Sequence, residues 1–99
     1  MLDMNKFYPE VYQAVAGDDY VIYVYMNDGA MRKYDVKPLL QKGGVFEPLR
    51  DKTLFRKTLT VIGGTAAWDL EGNRDESRCI DLDPMDLFLN GIVVDDLFL

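Results

Sequence analysis

Three groups of side chains in this sequence could do chemistry. The first is Asp81, Asp83 and Asp86, three acids within six positions. Neighbouring carboxylates can share a proton or hold a divalent cation. Asp83 precedes Pro84, however, and Asp86 falls in the first turn that such a pair would open. Capping and helix-dipole complementarity account for both. No partner base or third type of ligand stands beside them. The second group is Asp69, Glu71, Asn73 and Asp75, whose alternation is that of a calcium loop. The spacing fails, because Arg74 stands where a calcium loop needs glycine and Ile80 where it needs glutamate. A solvated loop is the expectation. The third is Cys79, the single cysteine. A reactive thiol needs a lowered pKa and access. Arg78 is adjacent in sequence but would point to the opposite face of a strand, so a packed side chain is expected.

Histidine is absent. That removes Ser-His-Asp and Cys-His nucleophiles, imidazole acid–base catalysis and zinc sites built on histidine. Glycine offers no nucleotide grip either. In "YDVKPLLQKGGVF", residues 34–46, Gly43 and Gly44 follow the apolar pair Leu39-Leu40. A phosphate loop needs glycines before a helix, with backbone N–H groups aimed at the anion. The stretch reads instead as a short helix capped by Asp35, with Pro38 in its first turn and Gly43-Gly44 as its stop. No catalytic residue, metal or cofactor is expected.

The formal net charge of −6 is unevenly spread. Residues 1–31 hold five acids and one base, residues 32–57 eight bases and three acids, and residues 69–99 nine acids and two bases. The basic segment is spread over several elements, with no stripe of interleaved aromatics. We read it as a solvated, internally complemented face. With a sequence pI near 4.4, duplex binding without a partner is not expected, because nucleic-acid affinity rests on phosphate neutralisation.

The elements that must position these residues fit one domain over 1–99. The longest apolar run, residues 20–26, is far too short for a membrane span, and the first ten residues lack a signal-peptide core. A single cysteine suits a reducing compartment, so a cytoplasmic location is expected. Strands are predicted over 10–16, 20–26, 30–36, 58–62, 65–68 and around 80. Asp51 caps a helix over 52–57, and Asp83-Pro84 opens another that ends near Asn90 at Gly91. Trp68 is assigned to the core. The fold class is α+β: an antiparallel sheet of about four to five strands with two or three short helices on one face.

Asn27-Asp28-Gly29 is a hairpin signal. A three-residue loop with Gly29 at positive φ pairs Met26 with Ala30, Ile22 with Tyr34 and Tyr20 with Val36. This keeps Tyr20, Ile22, Val24, Met26, Tyr34 and Val36 on one face, and hydrophobic pattern sets register. Val21, Tyr23 and Tyr25 then face outward. The apolar tail 91–99 carries Ile92, Val93, Val94, Leu97 and Phe98. Such a segment should pack, either on its own sheet or across a two-fold axis on a second copy. The second is preferred, since outward Val21, Tyr23 and Tyr25 also want cover.

The segments "DGAMRKYDVKPLLQKGGVFEPLRD", "GGTAAW" and "IDLDP" resemble the bacterial domain-of-unknown-function 2442 family over about residues 10–88. The resemblance implies a small bacterial α+β domain and carries over no catalytic residue. The stretch between Trp68 and Ile80 and the end after Asn90 depart from the family pattern. The expected function is a non-enzymatic protein-interaction or regulatory module acting as a homodimer or on a protein partner, away from membranes. The alternative is a small ligand-binding domain or enzyme that pairs carboxylates near 81–86 with basic residues from 32–57.

Overall fold

The computed structural model describes residues 8–95. Seven strands run as β1 Val11–Ala16, β2 Val21–Met26, β3 Met31–Asp35, β4 Leu59–Ile62, β5 Thr65–Trp68, β6 Ile80–Asp81 and β7 Ile92–Val94. Three α-helices intervene, α1 Lys37–Lys42, α2 Lys52–Thr58 and α3 Pro84–Asn90, with a 3-10 helix over Gly44–Arg50. The α+β class holds, but the strands divide into two antiparallel sheets instead of one. The larger has the order β1-β2-β3-β7 and the smaller β4-β5-β6. All the chain between β3 and β4 is spent on helices, so the second hairpin starts a sheet of its own. The two meet where Val11 N–H donates to the Gly64 carbonyl at 2.7 Å.

The β2–β3 hairpin takes the expected register. Ile22 lies opposite Tyr34, Met26 N–H donates to the Ala30 carbonyl, and Val36 N–H donates to the Tyr20 carbonyl. Gly29 closes the loop at φ +86°, a conformation that costs other residues more. Ile22, Val24, Met26 and Val36 are buried on one face. They meet Leu40, Leu49, Phe55, Trp68, Leu82 and Leu87 in a single core. Each large side chain so buried contributes about 1.5–3 kcal/mol. Trp68 is fully buried, its indole N–H donating to the Phe55 carbonyl at 3.1 Å with the two rings 5.3 Å apart.

The helix boundaries follow local chemistry. The Asp51 carboxylate accepts from the N–H groups of Thr53 and Leu54, and the Asp83 carboxylate from that of Met85. Asp35 is not the N-cap of α1. Val36, already at right-handed helical angles, occupies that position, while the Asp35 carboxylate accepts from Lys37 N–H at 3.0 Å one residue earlier. Gly43 and Gly44, both at positive φ, end α1. At the end of α3 the glycine serves a different need. Gly91 has an ordinary φ of −69°, but a Cβ there would lie 2.5 Å from the Leu87 carbonyl oxygen and 3.0 Å from Arg32 Cβ. Close packing of α3 onto β3 requires its absence.

Candidate interaction surface

The described part of the apolar tail, residues 91–95, joins the sheet of its own chain. Its backbone forms β7, antiparallel to β3, with Ile92 opposite Lys33, Val93 opposite Arg32 and Val94 opposite Met31. Of the two packings expected, the backbone of 92–94 takes the one on its own sheet. A ready strand edge on β3 was within reach directly after α3. Leu97 and Phe98 lie outside the described residues.

The side chains of this strand are another matter. Ile92 is 66% exposed and Val93 60%. Leu89 and Met85, one turn apart on α3, are also exposed. Among the described residues, the backbone of β7 also has a side with no strand paired to it. The hydrogen bonds at Ala30 and Val36 turn the even-numbered groups of β3 toward β2. Antiparallel ladders alternate, so the groups of Met31 and Lys33 face Val94 and Ile92. Val93 N–H and C=O therefore point out of the sheet at its open edge.

The outer face of the larger sheet carries two rows of opposed residues. One runs Val15, Tyr23, Lys33, Ile92 and the other Gln13, Tyr25, Met31, Val94. Tyr23 and Tyr25 are half-buried there, and an open groove of about 700 Å³ runs between Tyr12 and Tyr25. Val21 is not available to a partner: it is only 9% exposed. Strand alternation nevertheless assigns it to the outer face, and Gly17 N–H donates to its carbonyl at 2.7 Å.

The acids divide by task. Asp83 caps α3, and Asp86 accepts from the Tyr34 hydroxyl at 2.6 Å and from the Asn90 amide. Burial, reinforced by the Asp86 bond, pushes the Tyr34 phenol well above its usual range. Asp81 is exposed on the edge strand β6. Lys33, Tyr34 and Asp86 share a depression of about 300 Å³ with Asn90 and Ile92. This is where a carboxylate of the 81–86 group and a residue of the basic segment come together.

Asp69 turns both oxygens on its own loop, accepting from Gly72 N–H at 2.9 Å and Arg74 N–H at 2.8 Å. Asp75 accepts from Ser77 N–H and hydroxyl. Among the described residues no group of three or more acids, cysteines or histidines is placed to hold a metal ion. Cys79 Sγ meets the Glu76 carbonyl, and burial, with Asp81 nearby, raises its thiol above the usual range.

The basic segment is largely spent inside the chain. Arg50 donates twice to the Leu40 carbonyl at the end of α1, Arg56 to the Gly17 carbonyl, and Lys37 to the carbonyl and carboxylate of Asp19. Arg32 is the extreme case. Its side chain is 8% exposed, paired with Asp28 and seated 4.4 Å over the Phe88 ring.

One structural residue escaped sequence reasoning. Tyr20 follows Asp19 in the β1–β2 turn, and both sit at positive φ, 58° and 62°. A tyrosine there is an outlier that its surroundings must hold. Its hydroxyl donates to the Arg50 carbonyl, and its ring meets the Phe55 ring edge-on at 5.3 Å. The sequence pattern puts Tyr20 on the apolar face at the start of the second strand and does not mark it as the residue that anchors the turn.

A family model described as a protein of unknown function, DUF2442, matches residues 11–92. The chain belongs to the DUF2442 family. The DUF2442 match begins at the first residue of β1 and ends at Ile92, the first of β7. It therefore takes in the α3–β7 junction but not Val93. No curated protein and no solved structure matches this DUF2442 chain. Among the described residues, no helix is long and apolar enough to cross a membrane.

Proposed function

We propose that this domain is a non-enzymatic interaction module whose working surface is the open edge of β7. One observation carries the reading. Val93 turns an N–H and a C=O outward at a strand edge, and its side chain and that of Ile92 are exposed beside it. Edges of this kind accept an added strand, with main-chain bonds for affinity and flanking side chains for selectivity. Exposed apolar edges are otherwise blunted by charge or proline, and β7 has neither within its three residues.

The alternative, a ligand or substrate held by carboxylates near 81–86 and a basic residue, would occupy the depression of Lys33, Tyr34 and Asp86. The Asp86 carboxylate there already accepts two bonds, and the phenol is held neutral. We therefore prefer the edge.

The test compares partners recovered from the native host with the wild-type chain, Val93→Pro and Asp86→Asn. Val93→Pro removes only an outward N–H, which edge strands tolerate. Loss of the partner with Val93→Pro and retention with Asp86→Asn is expected. The reverse pattern moves the site to the depression and overturns the edge.

A further inference from the structure

We infer that the β7 edge is built to pair with the same edge of a second copy of this chain, in an antiparallel ladder centred on Val93. The inference rests on the reading of β7 as an interaction edge.

The argument is one of register and charge. An isologous contact places the same patch on both sides of a two-fold axis. With the axis at Val93, the outward N–H and C=O of each Val93 meet those of the other. Ile92 then lies across from the second copy's Val94, apolar against apolar. Asp95 lies across from Gly91, so no acid faces an acid. This matters in a chain of net charge −6, where like charges opposed across strands destabilise. A centre at Val94 would instead set Asp95 against Val93, and a centre at Ile92 would run the ladder into α3. The Val93 centre is the one that keeps acids from both apolar positions. Joining the two edges makes a continuous eight-stranded sheet, since each copy contributes the four strands β1-β2-β3-β7. A ladder this short buries a small area, so the dimer should be weak and build with concentration.

Cysteine pairs read the register. In a Cys79→Ser background, Val93→Cys places two Cα atoms about 5.5 Å apart across the axis, within disulfide range. Ile92→Cys places them diagonally, about 7–8 Å apart, beyond it. The expected result is a covalent dimer of the first variant under mild oxidation while the second stays reduced. Wild type should also sediment with a mass that rises with concentration, and Val93→Pro should remain monomeric. Equal behaviour of the two cysteine variants overturns the register. A wild-type chain that is monomeric throughout overturns the second copy as partner. In that case, loss of the host partner by Val93→Pro leaves the edge reading standing, and retention of it overturns both.

Discussion

The guanidinium of Arg32 meets the carboxylate of Asp28 in two hydrogen bonds, of 3.0 and 2.8 Å, across the β2–β3 turn. The pair locks the hairpin on whose far edge β7 docks, and Arg32 is the residue opposite Val93. Removing one partner leaves a buried cation uncompensated. Asp28→Ala should cost about 2–3 kcal/mol, below the full burial figure because Asp28 is partly exposed. Adding Arg32→Met should recover part of that loss, since an apolar side chain needs no counter-charge. Chemical denaturation of the single and double variants measures the difference.

The same pair sets an acid limit. The Arg32 hydrogen bond holds the Asp28 carboxyl below its ordinary value of 3.8. A carboxyl depressed on folding adds stability that is complete above the unfolded value and is lost as pH falls through the folded one. Stability should therefore drop more steeply below about pH 4 in wild type than in Asp28→Asn. Parallel acid melting curves would remove this role.

Two glycines should respond to substitution for different reasons. Gly29 has open space around a Cβ but a φ of +86°. Gly29→Val should cost at least about 1 kcal/mol from backbone strain alone. Gly91 has a permissive φ but no room. Gly91→Ala should cost more, about 1–3 kcal/mol, as α3 is forced off Arg32. Thermal melts of both report the order.

Much of this architecture was legible because it is local. Gly29, Asp51, Asp83-Pro84 and the hairpin register follow from turn and cap chemistry within a few residues. Trp68 as core follows from its size. The division into two sheets was not legible, since it depends on which distant strands pair. Gly44–Arg50 has Pro48 inside it and no helical period to announce it. For the candidate site, composition exposed an apolar tail. The outward Val93 backbone became visible only once β3 was its partner. Val21 shows the converse limit: alternation assigns a face but not what covers it.

Tyr34 should resist ionisation. Its phenol is partly buried and donates to Asp86 at 2.6 Å, which raises its pKa well beyond the normal range near 10. A group raised on folding adds stability below the unfolded value and loses it as pH climbs past that value. In a spectrophotometric titration, native wild type should keep one neutral tyrosine above pH 10 that native Tyr34→Phe lacks. Titration of every tyrosine near 10 in the native state would contradict the Asp86 contact.

The loop at Asp69 should answer to its own backbone and not to calcium. Asp69→Ala frees the Arg74 N–H and leaves the Gly72 N–H only its 3.2 Å bond to the carbonyl of residue 69, and should cost about 1 kcal/mol. Millimolar calcium should leave the melting temperature of wild type and variant unchanged. A rise of several degrees in wild type alone would reveal a bound ion.

The most direct measurement of the β7 edge is hydrogen exchange at three successive amides. Ile92 and Val94 N–H are turned toward Lys33 and Met31 within the chain, and should be protected at every concentration. Val93 N–H points outward and should exchange freely in dilute solution, then slow as the chain is concentrated and a second edge covers it. A Val93 amide that exchanges equally fast from dilute to concentrated solution, and is not slowed by any recovered partner, would contradict the edge as the working surface of this domain.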